Sequence, residues 1–151
     1  MQIKDTMIRG SSVIAALAAL LLTGCATPIS PETLAHANYG SPPPKNYKEL
    51  IKKEISPALL DPYSAQYEFS SPSKGYTRNA PVWGTTEMFG WKVCGTVNAK
   101  NRFGAYVGTT PFFILFKNGR IAEKLVGNPP NADDAVIENM SNVNIRNACG
   151  G

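Results

Sequence analysis

Three cysteines are the residues of this chain whose type and context best support specific chemistry. The first, Cys25, follows Leu22-Thr23-Gly24, which places leucine three positions before it and small residues directly before it. This is a lipobox, in which the cysteine thiol is alkylated by a diacylglyceryl group and the chain is cut before the cysteine. The sequence predicts lipidation at Cys25. The alternatives are an ordinary cleaved signal peptide with an incidental cysteine, and an uncleaved anchor.

The segment before Cys25 has the organisation of a signal peptide. It starts with the basic residues Lys4 and Arg9 and continues with an apolar block over residues 13–22. A helix that spans a bilayer needs about 20 apolar residues, so this block is too short. We predict that residues 1–24 are removed and that acyl chains such as palmitate hold the mature chain in the membrane. Ala26 stands where lipoproteins retained in the inner membrane usually carry Asp, which favours the outer membrane, facing the periplasm.

The other two cysteines, Cys94 and Cys149, are expected to pair. The periplasm is oxidising, and the bond would close a loop of about 55 residues and stabilise the fold by roughly 4 kcal/mol. A redox-active pair is the alternative, but the Cys-X-X-Cys spacing is missing. Besides the cysteines there is one histidine, His36, so the ligands are too few for a zinc site of four cysteines or of two cysteines and two histidines, and neither a metal nor a cofactor is predicted.

Polar side chains are densest around one predicted turn, and they are the candidates for binding. Such a group could contact a peptide terminus, a glycan or a partner protein. Alternatively, its asparagines satisfy backbone groups of the turn and its cations are solvated. The candidate binding residues are Asn98, Lys100, Asn101, Arg102 and Tyr106.

Catalysis is not expected from this residue set. Neither a Ser-His-Asp nor a Cys-His arrangement can be assembled from paired cysteines and a single histidine in a linker. The glutamates Glu68, Glu87 and Glu123 fall in unrelated segments. The formal charge of the 151 residues is only +4, and export across a membrane argues further against a nucleic-acid partner.

The predicted domain organisation has three parts: the signal peptide over residues 1–24, the lipidated cysteine with a tether over 25–45, and one domain over 46–151. The tether is rich in Pro, Ala, Ser and Thr, and as extended chain it would reach roughly 60 Å. The domain is predicted to begin with a helix capped by Asn46 and Glu49. Its apolar face comprises Tyr47, Leu50, Ile51 and Ile55.

The fold class predicted from periodicity is α+β, with an N-terminal helix, an antiparallel sheet of four or five strands and a C-terminal helix. Alternating apolar residues predict strands over 65–69 and 91–99, separated by a loop over about 74–90. Asn131 is predicted to cap the last helix, with Asp133 and Asp134 in its first turn. The apolar stripe of this helix comprises Val136, Ile137, Met140 and Val143.

A hairpin is predicted where Asn118-Gly119 follows a run of apolar residues. Asn-Gly adopts the positive φ angles of a type I′ turn, so Lys117 should lie opposite Arg120. A regular register then pairs Phe116 with Ile121, Leu115 with Ala122, Ile114 with Glu123, Phe113 with Lys124 and Phe112 with Leu125. In this register Phe112 and Phe116 with their partners form the core face. Phe113 and Leu115 point to the other face and are also apolar, which indicates that the opposite face of the sheet is also covered.

Two segments carry a resemblance to known proteins. Leu60-Asp61-Pro62-Tyr63-Ser64-Ala65-Gln66-Tyr67 is one, and Val93-Cys94-Gly95-Thr96-Val97-Asn98-Ala99-Lys100-Asn101-Arg102-Phe103-Gly104-Ala105-Tyr106-Val107-Gly108 is the other. Together they resemble a widespread group of small exported bacterial proteins and lipoproteins to which no activity is attached. That group usually has Gly-Gly-Tyr where this chain has Gly104-Ala105-Tyr106. The resemblance implies a single domain and an exported context.

Two functions therefore fit the sequence. The first is a lipid-anchored envelope protein that acts by non-catalytic binding, as an accessory component of an assembly facing the periplasm. The second is a periplasmic inhibitor or immunity lipoprotein that neutralises a toxin or hydrolase. In both, the predicted partners are the membrane, through the N-terminal lipid, and an envelope protein.

Overall fold

The computed structural model describes residues 28–79, 86–130 and 135–150, and their side chains except at 79 and 135–140. Cys25 lies outside these ranges. The chain divides into two units, residues 1–36 and 37–151. The first contains the short helix α1 (Pro31–His36), which is capped by Ser30, whose Oγ accepts the Thr33 N–H at 3.1 Å. Part of the predicted tether is therefore helical, and His36 is exposed at the end of that helix.

The second unit is the α+β domain that the sequence predicts, with a helix before the sheet and a helix after it. Its elements are α2 (Tyr47–Ile55), a 3-10 turn (Ser56–Ala58), β1 (Asp61–Phe69), β2 (Ser73–Asn79), β3 (Thr86–Lys100), β4 (Thr110–Lys117), β5 (Arg120–Val126) and α3 (Ala135–Gly150). Asn46 does precede α2, but its side chain makes no capping hydrogen bond. Within the described residues, no helix is both long enough and apolar enough to cross a bilayer.

The sheet is fully antiparallel and is organised around the long strand β3. The order is β1-β3-β4-β5, and β2 also pairs with β3. Because β3 has 15 residues, its first half pairs with β2 and its second half with β1. The predicted loop over 74–90 is wrong, since both sides of it are strands. Their pairing places Tyr76 opposite Phe89 and allows an Arg78–Glu87 ion pair at 2.8 Å. These contacts are made between two strands, so the periodicity of a single segment does not reveal them.

Helix α2 covers one face of the sheet, which we name the α2 face. Ile51 and Ile55 are fully buried there, as predicted from the spacing of apolar residues. Alternate residues of the strands supply the other half of this layer, because successive side chains of a strand point to opposite faces. The buried members from the sheet are Val93, Val97, Phe112, Ile114 and Phe116.

Helix α3 covers the opposite face, the α3 face, which confirms that the sheet is buried on both sides. Phe113 and Leu115 are fully buried against Ile145. The predicted apolar stripe of α3 is only partly testable, because Asn131, Asp133 and Asp134 and the side chains of Val136, Ile137 and Met140 lie outside what is described. Val143, however, is 40% exposed and is not a core residue.

The β4–β5 hairpin confirms the predicted turn and corrects the register beyond it. Asn118 and Gly119 have φ angles of 52° and 76°, and Lys117 lies opposite Arg120. A bulge then inserts Ala122 between the partners of Phe116 and Leu115. In consequence Glu123 pairs with Leu115, Lys124 with Ile114, Leu125 with Phe113 and Val126 with Phe112.

The bulge has a physical reason. Without it, Glu123 would oppose Ile114 on the α2 face. With it, Lys124 takes that place, and its Nζ lies 2.8 Å from Glu54 Oε1 on α2. The shift also brings Leu125 opposite Phe113, where it joins the apolar layer under α3.

Residues 38–40, which we name the strap, lie against the sheet beside the β4–β5 turn. Trp91 Nε1 donates to Gly40 O at 3.1 Å, and Lys117 Nζ donates to Asn38 O. The Tyr39 ring packs edge-on against Phe89, with ring centroids 5.8 Å apart. Ordered contacts with the domain therefore begin before the predicted end of the tether at residue 45.

Candidate functional site

The first resembling segment forms a bulge at the start of β1. Asp61 pairs with Lys100 and Gln66 with Asn98, so residues 62–65 contain extra chain that cannot be matched on β3. Ser64 fixes this bulge. Its Oγ donates to Asp61 O at 2.9 Å and accepts the Lys100 N–H at 2.9 Å, while its own N–H donates to Asp61 Oδ1 at 3.3 Å. Such bulges re-aim side chains, and here Tyr63 is fully exposed.

The second resembling segment forms the second half of β3 and then the loop over residues 101–108, which lies next to the bulge. Asn101 Oδ1 accepts the N–H groups of Phe103 at 2.9 Å and Ala105 at 3.1 Å. Asn98 Oδ1 accepts the Gly108 N–H at 3.1 Å. Gly104 and Gly108 have φ angles of 78° and 97°, which glycine adopts without strain. Ala105 does not have a positive φ, so alanine is accommodated there.

Tyr106 joins the loop to the bulge. Its hydroxyl donates to Ser64 O at 3.3 Å and accepts a hydrogen bond from Gln66 Nε2 at 3.2 Å. The backbones of Tyr106 and Lys100 also form an isolated antiparallel β-bridge. The Lys100 Nζ lies 5.4 Å from the centroid of the Tyr106 ring. The β1 bulge and the loop over residues 101–108, which both belong to the resembling segments, are therefore one hydrogen-bonded unit at one end of the sheet.

This unit exposes large apolar side chains, and we name the surface the aromatic end. Two cations accompany them: Lys100, and Arg102, whose guanidinium lies 5.0 Å from the centroid of the Phe103 ring. Isolated apolar residues are common on surfaces, but a group of them at one place marks a binding surface. The exposed residues are Leu60 at 79%, Tyr63 at 101%, Phe103 at 80% and Tyr106 at 44%.

The five predicted binding residues divide into two sets. The side-chain oxygens of Asn98 and Asn101 are used to hold the loop, so these residues shape the surface. Lys100, Arg102 and Tyr106 present charge and ring surface to solvent. Sequence reasoning missed Leu60, Tyr63 and Phe103, although an aromatic residue between Asn101 and Gly104 in a turn is a usable signal for an exposed ring.

On the α3 face, the predicted disulfide is present. Cys94 and Cys149 are bonded, with 5.9 Å between their Cα atoms. Two positions before Cys94, the Lys92 Nζ donates to Ala148 O at 3.2 Å and Cys149 O at 3.1 Å, which are carbonyls at the C-terminal end of α3. Lys92 is 7% exposed, and this burial lowers the pKa of its ammonium. Both contacts fix the end of α3 to the sheet.

A cavity of about 370 Å³ opens beside this disulfide, between α3 and the β1 side of the sheet. Gly95 and Pro111 line this cavity, and Glu68, Thr96 and Arg146 bring polar groups to its lining. Glu68 Oε2 lies 3.5 Å from Thr96 Oγ1. Of the other glutamates considered above, Glu87 is paired with Arg78 and Glu123 lies opposite Leu115, so the three carboxylates do not converge.

Among residues 28–79, 86–130 and 135–150, no group of three or more His, Cys, Asp or Glu side chains is arranged to hold a metal ion. No protein-family model matches the chain, and searches of curated proteins and of solved structures give no match.

Proposed function

We infer that this protein is a lipid-anchored protein of the bacterial envelope that acts by non-catalytic binding of another protein, as an accessory component of an assembly facing the periplasm. The lipobox at Cys25 supports the anchoring, and Ala26 supports the outer membrane as the site. The disulfide is consistent with this location, because disulfides persist in oxidising compartments.

The aromatic end carries the binding part of the proposal. Exposed aromatic side chains with a neighbouring arginine have the composition that dominates the energy of protein–protein contacts. The bulge and the loop that present them are fixed by the hydrogen bonds of Ser64, Asn101 and Tyr106. A surface that is already ordered loses less conformational entropy on binding. The cations favour a partner with acidic residues around an apolar contact.

The test is affinity purification of the full lipidated chain, with a C-terminal tag, from its own envelope. We compare Phe103→Ala with Val143→Ala, because Val143 is another exposed apolar residue and lies on α3, outside the aromatic end. We also compare Arg102→Glu with Arg120→Glu, because Arg120 is exposed on β5. Truncation of a central residue of an interface costs about 2 kcal/mol or more, a loss of affinity of about 30-fold.

The proposal predicts a co-purifying protein that is lost with Phe103→Ala and Arg102→Glu and retained with both controls. Equal recovery with all four variants would refute the aromatic end as the binding surface. Recovery of several membrane-complex subunits supports an accessory role, whereas recovery of one soluble enzyme whose activity is blocked would replace it with the inhibitor function.

A further inference from the structure

The strap and the aromatic end lie at opposite ends of the sheet. The strap contacts Trp91 and Lys117, where β3 and β4 pair as Trp91 opposite Phe116. The aromatic end lies beyond Lys100, at the other end of β3. From Trp91 to the start of the loop at Asn101 the strand is about 33 Å long, at about 3.3 Å per residue.

The free chain before the strap is short. Between Cys25 and Asn38 there are 12 residues, six of them in α1. At about 3.5 Å per extended residue and 1.5 Å per helical residue, this segment reaches about 30 Å when fully stretched. That is slightly less than the length of β3 between Trp91 and Asn101. To point the aromatic end directly at the bilayer, the tether would have to be fully stretched alongside the sheet, which costs conformational entropy.

Charge does not favour either end for contact with an anionic bilayer. The strap end carries Lys74, Lys117 and Arg120, and the aromatic end carries Lys100 and Arg102. Lys74 and Lys117 already contact the Tyr39 ring and backbone carbonyls, respectively. The point of attachment therefore decides the orientation.

We propose that the strap holds the aromatic end away from the membrane, so that the partner is an acidic protein surface on the periplasmic side and not lipid headgroups. This orientation rests on the proposed anchoring at Cys25. The strap then has a role in recognition of the partner. Release of residues 38–40 from the sheet would lengthen the free chain and remove the restriction on how the domain is oriented relative to the membrane.

The experiment places a fluorescent aromatic amino acid in the full lipidated chain, at Phe103 in one variant and at Arg120 in another. Both positions are exposed, and they lie at opposite ends of the sheet. The proteins are incorporated through their lipid into vesicles of phosphatidylethanolamine and phosphatidylglycerol that carry a nitroxide quencher on the headgroups. We expect a clear loss of fluorescence at position 120 and little loss at position 103.

A second pair of variants carries about 20 additional Gly and Ser residues before Ser30. The extended length of this flexible tether then exceeds the length of the sheet. The difference between positions 103 and 120 should then disappear. Quenching at 103 that equals quenching at 120 in the natural chain would overturn the proposal in favour of lipid contact. A difference that persists with the long tether would overturn the role of the strap. Neither result involves the protein partner, so both are separable from failure of the proposed function.

Discussion

Ser64 is the residue on which the shape of the aromatic end most depends. It links the bulge of β1 to Lys100 through its hydroxyl and to Tyr106 through its carbonyl oxygen. Replacement by alanine removes the hydroxyl and leaves the Lys100 N–H without its acceptor. Each such hydrogen bond contributes about 1 kcal/mol.

We therefore predict that Ser64→Ala lowers the free energy of unfolding by about 1–2 kcal/mol and weakens binding of the partner. Urea denaturation measures the first effect. Ser73→Ala, on the exposed start of β2, is the control and should change stability by less than about 0.5 kcal/mol. Equal stability of the two variants would show that the Ser64 contacts do not fix the bulge.

Lys92 provides a prediction about pH. Burial lowers the pKa of its ammonium below the usual 10.5 in the folded protein. Between the folded pKa and 10.5 the unfolded chain binds more protons at this position, so the free energy of unfolding gains a contribution that rises with pH. The contribution is lost again as the pH falls through the folded pKa.

Lys92 packs closely against Gly75, because a Cβ at position 75 would lie 2.6 Å from Lys92 Cδ. Lys92→Met keeps an unbranched side chain in this contact and removes the ammonium group that titrates. We predict that the stability difference, wild type minus Lys92→Met, increases between about pH 8 and about pH 10. Urea denaturation at both pH values measures it. A difference that is constant or that decreases contradicts a lowered pKa.

At the scale of elements, the disulfide fixes α3 to β3. The bond joins residues 55 apart, and the chain-entropy model assigns it a stabilisation of about 4 kcal/mol. Measured stabilisation by disulfides is often smaller than this value. Cys94→Ala/Cys149→Ala should lower the free energy of unfolding by about 2–4 kcal/mol, measured by urea denaturation. An unchanged denaturation midpoint would mean that the bond does not constrain the unfolded chain.

The strap makes a second prediction at this scale. Gly40 has a φ of 70°, and a Cβ there would overlap Asn118 Oδ1 and lie 3.1 Å from the Asn118 backbone N. Gly40→Ala should displace the strap, and loss of the Trp91 hydrogen bond should change tryptophan fluorescence. Gly119→Ala is a matched control, because Gly119 has a φ of 76° with open space around its Cβ position. A similar spectral change in both variants would contradict the role of the contact.

The sequence predicted those features of the fold that depend on local chemistry. The Asn118-Gly119 turn, the apolar face of α2 and the α+β order all follow from spacing and from backbone preferences. The bulge at Ala122 and the strand β2 were not predicted, because they depend on which residues face α2 and which strand lies alongside. The helix α1 was missed because the segment was interpreted from its Pro and Ser content alone.

The candidate site was predicted in part, and for a similar reason. Asn98 and Asn101 have the turn chemistry that marks a loop, so the position of the site was found from the sequence. The exposure of Leu60 and Tyr63 results from a bulge that forms only when β1 pairs with β3. An alternating pattern over residues 65–69 gives no indication of the extra chain before it.

For the whole molecule, attachment, orientation and partner depend on one another. The predicted flexible tether of roughly 60 Å assumed extended chain up to the start of α2. The strap and α1 shorten the segment that is free to extend, which restricts how far the domain can move from a lipid at Cys25. With the proposed lipid at Cys25, we expect the aromatic end to face the periplasmic space.

Membrane anchoring through Cys25 is tested by intact-mass and peptide mass spectrometry of the protein purified from its own host. We predict a mature chain that begins at Cys25, with a diacylglyceryl group on its sulfur. A chain that retains residues 1–24, or a Cys25 with an unmodified thiol, would contradict it.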